Sequence, residues 1–203
     1  MKYPKVTLGR VEAVWNKFGG EEGVDRFLRG EVTVFKPTRW REQDGIIYFS
    51  VTSDGTTGSQ WVECMKAKGC HLDDFTKNLL RSENFKPTKG IITQLAVLKD
   101  TLFLKVNEKY NSGDVYAEAY KRGLEKPGVE IAFLIRKNFS DEELEAMGLS
   151  WIVTMHEHIG GGWFLTTGRS GCGNWLIPCG EAWSECGHGF AFVRPQVSKT
   201  LSL

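Results

Sequence analysis

The sequence predicts an α+β fold, made of internally repeated ααβ units and closed by a C-terminal Trp- and Gly-rich antiparallel sheet. Three observations carry this expectation. A set of markers recurs in the same order along the chain, each recurrence holds two helical patterns followed by a strand pattern, and helical periodicity gives way after Leu149 to short apolar runs punctuated by glycine.

The markers of the first two copies are near-identical. Val11-Glu12 returns as Val62-Glu63, Leu28-Arg29 as Leu80-Arg81, Phe35-Lys36-Pro37-Thr38 as Phe85-Lys86-Pro87-Thr88, and Gly45-Ile46-Ile47 as Gly90-Ile91-Ile92. A weaker third copy matches Arg122-Gly123 to Lys68-Gly69, then runs through Ile135-Arg136, Phe139 and Gly148-Leu149 to Trp151-Ile152-Val153.

In the first copy Val11, Val14, Trp15 and Phe18 fall at helical spacing, and Gly19-Gly20 ends the run as a C-cap glycine pair does. The second copy predicts helices over 61–68 and 73–81 around Gly69, and the third carries a capping box, Ser140 with Glu143, flanked by Phe139 and Leu144 at staple positions. Gly148 stops that helix. Beyond it, Trp151–Met155, Trp163–Thr167, Trp175–Pro178 and Phe190–Arg194 read as antiparallel strands, and Ser198–Leu203 as a loose tail. With no low-complexity linker between these parts, the expectation is one domain over 1–203, with units at about 8–52, 60–99 and 114–158 and the β region at 150–197.

Composition bounds the function. A 203-residue chain that is 41% hydrophobic and 25% charged can build a core, and 26 Lys and Arg against 25 Asp and Glu give no long-range field for nucleic acid or anionic membrane. No stretch approaches the ~20 apolar residues of a spanning helix, since even 91–104 is broken by Thr93, Gln94, Lys99 and Asp100. Met1–Arg10 leads into no apolar signal core, and five cysteines is an odd number for a disulfide framework. The expected compartment is cytoplasmic, with reduced thiols.

The strongest metal candidate is Cys172, Cys179, Cys186 and His188, four zinc-competent side chains in a Gly-rich stretch. Their gaps of six, six and one residues include no tight Cys-x-x-Cys grip, so thiols filling a Trp-rich sheet is the favoured reading and no cofactor is expected, zinc being the alternative. His156 and His158, two apart on a strand, share a face; the alternation with Trp151, Val153 and Met155 reads more simply as a half-exposed strand. Arg29, Arg81 and Arg136 close the second helix of each unit. They are candidate binding residues, although a cation in a helix's last turn also has a purely structural use.

Asp54-Gly55-Thr56-Thr57-Gly58, following the apolar run Ile46–Val51, resembles the phosphate-handling loop of haloacid-dehalogenase-type phosphatases. The nucleophilic Asp of that loop falls at Thr52 here, which excludes carboxylate attack on phosphorus and leaves a polar turn before a helix. A helix-turn-helix reading around Gly19 and Gly69 puts Lys68 and Asn78 where buried apolar groups are needed. On Thr56-Thr57-Gly58, Phe139-Ser140-Asp141-Glu142-Glu143 and Gly189-Phe190-Ala191-Phe192-Val193, the chain resembles a family of uncharacterised bacterial proteins, a likeness that implies a bacterial cytoplasmic origin and no particular activity.

The functional expectation is a non-catalytic binding or interaction protein with a protein partner, because seven Trp supply the residue type that dominates interfaces. A metalloprotein or enzyme using the C-terminal Cys/His cluster is the alternative. A nucleic-acid binder using the repeated Arg and Lys positions is the second, against the charge balance.

Overall fold

The computed structural model describes residues 7–32, 38–83, 85–103, 110–160, 162–170, 173–183 and 187–195. The chain divides into two compact units, Met1–Thr38 and Arg39–Leu203.

The first unit is a helical hairpin of α1 (Leu8–Phe18) and α2 (Glu21–Leu28). Gly19 caps α1 in the left-handed conformation, φ 84°, and its N–H returns to Asn16, as the glycine pair predicts. The helices meet closely: a Cβ on Gly23 would lie 1.5 Å from the Phe18 carbonyl oxygen, so glycine is required there. The Phe18 and Phe27 rings pack in a tilted pair with centroids 4.8 Å apart.

The second unit holds β1 (Trp40–Gln43), β2 (Ile46–Asp54), α3 (Gly58–Ala67), β3 (Cys70–Leu72), α4 (Asp74–Arg81), β4 (Lys89–Lys99), β5 (Tyr110–Asn111), α5 (Ser112–Lys121), α6 (Glu130–Asn138), α7 (Asp141–Ala146), β6 (Trp151–Ile159), β7 (Trp163–Ser170), β8 (Gly173–Cys179), β9 (Ala182–Trp183) and β10 (His188–Val193). Eight strands form one mixed sheet in the order β1-β2-β4-β10-β6-β7-β8-β3, and β5 and β9 form a separate two-stranded ribbon.

Both faces of the large sheet are covered, and this explains its sequence. On one face Trp61 and Met65 of α3, Leu79 and Leu80 of α4, Phe133 and Leu134 of α6 and Leu144 of α7 pack with Val51, Val97, Ile152 and Leu176. On the other, Tyr110, Val115 and Ala119, with Trp183 of the ribbon, pack with Ala96, Leu98, Phe164, Phe190 and Phe192. A strand covered on both sides reads as a continuous apolar run. Gly189-Phe190-Ala191-Phe192 is such a run, and β10 lies in the middle of the sheet.

The C-terminal strands exist but are not a sheet of their own, and β10 is parallel to β6 because it inserts between β6 and β4. Strand β6 is not half-exposed: Ile152 to His156 are all buried, since helices lie on one of its faces and the aromatic cluster on the other.

Several helix ends carry the caps their local sequence predicts. Ser140 and Glu143 form their reciprocal cap on α7, with Phe139 and Leu144 both buried. Thr57 caps α3 with Gln60 in return, so the 54–58 loop acts as a turn and helix start. The repeat itself is not established. The second copy carries β3 between its two helices, the third holds three helices, and Phe35, the counterpart of buried Phe85, lies outside the described residues.

Candidate interaction surface

The first unit presents apolar side chains that its own packing leaves uncovered. In α1, Leu8, Val11, Trp15 and Phe18 follow one another at spacings of three, four and three, a single stripe along the helix, and Val14 lies beside it. In α2, Val24, Phe27 and Leu28 make the matching face. Phe18 and Val24 are half-buried, but Leu8 is 88% exposed, Leu28 74% and Trp15 42%. Neither helix contains a buried residue.

Charge along residues 7–32 is nearly balanced, with Arg10, Lys17, Arg26 and Arg29 against Glu12, Glu21, Glu22, Asp25 and Glu31. Glu21 and Glu22 sit in the first turn of α2 and Arg26 in its last, which suits the helix dipole. The surface is therefore apolar with a mixed-charge border.

The three arginines that close equivalent helices in the sequence have different surroundings. Arg29 follows α2 and pairs with Glu31 at 2.6 Å, both partners about half-exposed. Arg81 ends α4 on the surface. Arg136 is 5% exposed in α6, with Nη2 2.7 Å from Asp141 Oδ1, while its Nε and Nη1 have no hydrogen-bond partner among the described residues. No hydrogen bond or ion pair among the described residues joins Arg81 to Arg136.

Of the Cys/His set, Cys172 and Cys186 lie outside the described residues. Cys179 ends β8 beside Trp183, half-buried, and desolvation pushes its thiol up to about 12. His188 opens β10, where its N–H donates to Asp100 Oδ2 at 3.0 Å. Cys70, buried in β3, is likewise pushed up to about 11 by burial. Neither thiol is the low-pKa nucleophile that thiol catalysis uses.

His156 and His158 serve separate ends. His156 Nδ1–H donates to the Glu157 carbonyl at 2.6 Å and Nε2 accepts the Leu165 N–H at 3.0 Å, so both ring nitrogens are engaged by backbone; burial lowers its pKa and keeps it neutral. His158 reaches Glu181 at 3.1 Å on the surface. Asp54 is held down to about 2 by hydrogen bonds from Lys137 and Thr56, and Lys137 also lies over the Trp61 ring. That carboxylate is spent on tying the 54–58 loop to α6.

The seven Trp point to an interaction protein, but the sequence singles out only arginines and cysteines as candidate site residues and not the hairpin as a surface. Its signal was present: an amphipathic pair of helices only eleven and eight residues long, with no strand beside them among the described residues of that unit. Among the described residues no helix is long and apolar enough to cross a membrane. Compared with protein-family models, with curated proteins and with solved structures, the chain matches none.

Proposed function

We propose that this chain is a non-catalytic interaction protein whose N-terminal helical hairpin docks a partner protein through the face formed by Leu8, Val11, Trp15, Phe27 and Leu28. One observation carries the reading: a hairpin in which no residue is buried. Helices shorter than about 12–15 residues are marginal in water, and their stability comes from packing an amphipathic face. This hairpin packs Phe18 against Phe27 but buries no side chain fully. A contiguous apolar patch bordered by polar residues is the usual mark of a protein contact, and Trp is the residue type most often found at its energetic centre. The near-neutral border favours a protein over a polyanion.

The experiment places a photoreactive amino acid at position 15 or, as a control, at position 17, and irradiates cells producing the chain. The expected result is one discrete adduct from position 15 and none from position 17. A mass of twice the chain identifies a second copy as the partner, and any other mass a different protein. Equal and diffuse labelling from both positions would overturn the reading.

A further inference from the structure

The C-terminal end of α5 and one face of the large sheet enclose a hollow of about 340 Å³ that no carboxylate lines among the described residues. Ile46 and Tyr48 of β2, on the face of the aromatic cluster, form its apolar part with Leu124 and Pro195. Its charged part is Arg122 and Arg194. We propose that this hollow binds a small organic phosphate, a monoester whose phosphoryl group meets the two arginines and whose apolar body lies on Ile46, Tyr48 and Leu124.

Arg194 is placed by the sheet. It follows Phe192 by two residues, so alternation sends its side chain to the face of the aromatic cluster, and its N–H donates to the Gln94 carbonyl at 2.8 Å. Its guanidinium lies over the Tyr48 ring with Cζ 5.6 Å from the centroid. Arg41, opposite Tyr48 on β1, lies 5.2 Å from the same centroid. The ring face orients both cations. Both arginines are exposed, and neither guanidinium has a hydrogen-bond or ion-pair partner among the described residues.

Arg122 is placed by the way α5 ends. Gly123 takes the left-handed conformation, φ 68°, while its N–H returns to the Tyr120 carbonyl and that of Leu124 to the Ala119 carbonyl, both at 3.0 Å. These bonds occupy carbonyls that would otherwise turn partial negative charge toward the hollow. Arg122 gives Nε and Nη2 to Glu118 Oε1 at 2.8 and 2.6 Å, which leaves Nη1 for a second acceptor.

The charge balance selects the ligand. Three guanidiniums gather around Tyr48 and the end of α5, and Glu118 engages one of them, so the surplus is positive and suits a dianion better than a single carboxylate. A guanidinium fork also matches phosphate oxygens in pairs. The volume is at the lower end of the ~300–1,000 Å³ range of ligand pockets, which admits a phosphate with one ring or a short chain. All of these residues belong to the second unit, so the inference does not rest on the hairpin reading.

The test titrates the full chain with phenyl phosphate, followed by amide NMR at low salt and above the phosphate's second pKa of about 6. Saturable shifts are expected at Gly123, Leu124 and Arg194. Arg194→Gln should weaken binding about tenfold, Arg41→Gln by a smaller factor, and Arg81→Gln, far along the chain at the end of α4, should leave it unchanged. Raising the salt should weaken it as well, because Arg41 and Arg194 are exposed. Inorganic phosphate should bind more weakly than phenyl phosphate, and benzyl alcohol should not bind. The proposal fails if the three amides show no saturable shift or if Arg194→Gln, with its spectrum otherwise intact, binds phenyl phosphate as tightly as the native chain. Inorganic phosphate binding as tightly as the ester would remove the organic body from the proposal, and benzyl alcohol binding as tightly would remove the phosphate; either result overturns it.

Discussion

Replacing Arg136 with alanine is expected to destabilise the second unit by about 3–5 kcal/mol, the loss seen when one member of a buried ion pair is removed and the other is left uncompensated. Asp141 would be that other member: its side chain is 15% exposed and sits 2.7 Å from the guanidinium. The native pair is itself incompletely satisfied, since Nε and Nη1 lack partners among the described residues. The charge is therefore costly to strand and inexpensive to delete whole. Arg136→Leu combined with Asp141→Leu should recover much of the loss, and Arg81→Ala, on the surface at the end of α4, should cost about 1 kcal/mol or less. Denaturant midpoints followed by Trp fluorescence check all three. A loss below about 1 kcal/mol for Arg136→Ala would show that the ion pair is not sealed from water.

The second large effect is expected at Phe133. It is fully buried in α6, with its ring centroid 5.7 Å from Trp61 and 5.9 Å from Phe85, and so joins α3, the Phe85 marker and the helical layer over the sheet. Truncation to alanine removes aromatic burial and leaves a cavity that two other rigid rings cannot easily fill. The expected cost is about 3–5 kcal/mol, read from the same denaturant curves. A cost nearer 1 kcal/mol would mean that α3 and α6 collapse onto each other when the ring is gone.

These two residues also mark the limit of what the sequence discloses. Arg29, Arg81 and Arg136 occupy one position in a repeated marker, yet one pairs on the surface, one is the exposed last residue of a helix packed on the core and one is buried against Asp141. Burial is decided by what packs against a helix, and no local pattern encodes it. Caps and turns were legible because their chemistry is local: Ser140 with Glu143, Thr57 before Gln60, Gly19 in the left-handed region.

Strand order was not legible. The apolar run at Phe190 announces a strand, but its place between β4 and β6, parallel to one and antiparallel to the other, depends on pairing across more than ninety residues of chain on one side. His156 was misjudged for the same reason, since the second covering layer comes from α5 and the β5–β9 ribbon.

Amide hydrogen exchange over residues 8–28 of the purified, dilute, monomeric chain shows whether the N-terminal hairpin is ordered by a partner. Exchange close to the unprotected rate is expected for these amides, alongside strong protection of Ile47, Val97 and Ala191 in the central strands, and slowing of the hairpin amides once its apolar face is covered. Hairpin amides as protected as those of β4 and β10 in the monomer would contradict it, because helices that hold themselves in water need no partner.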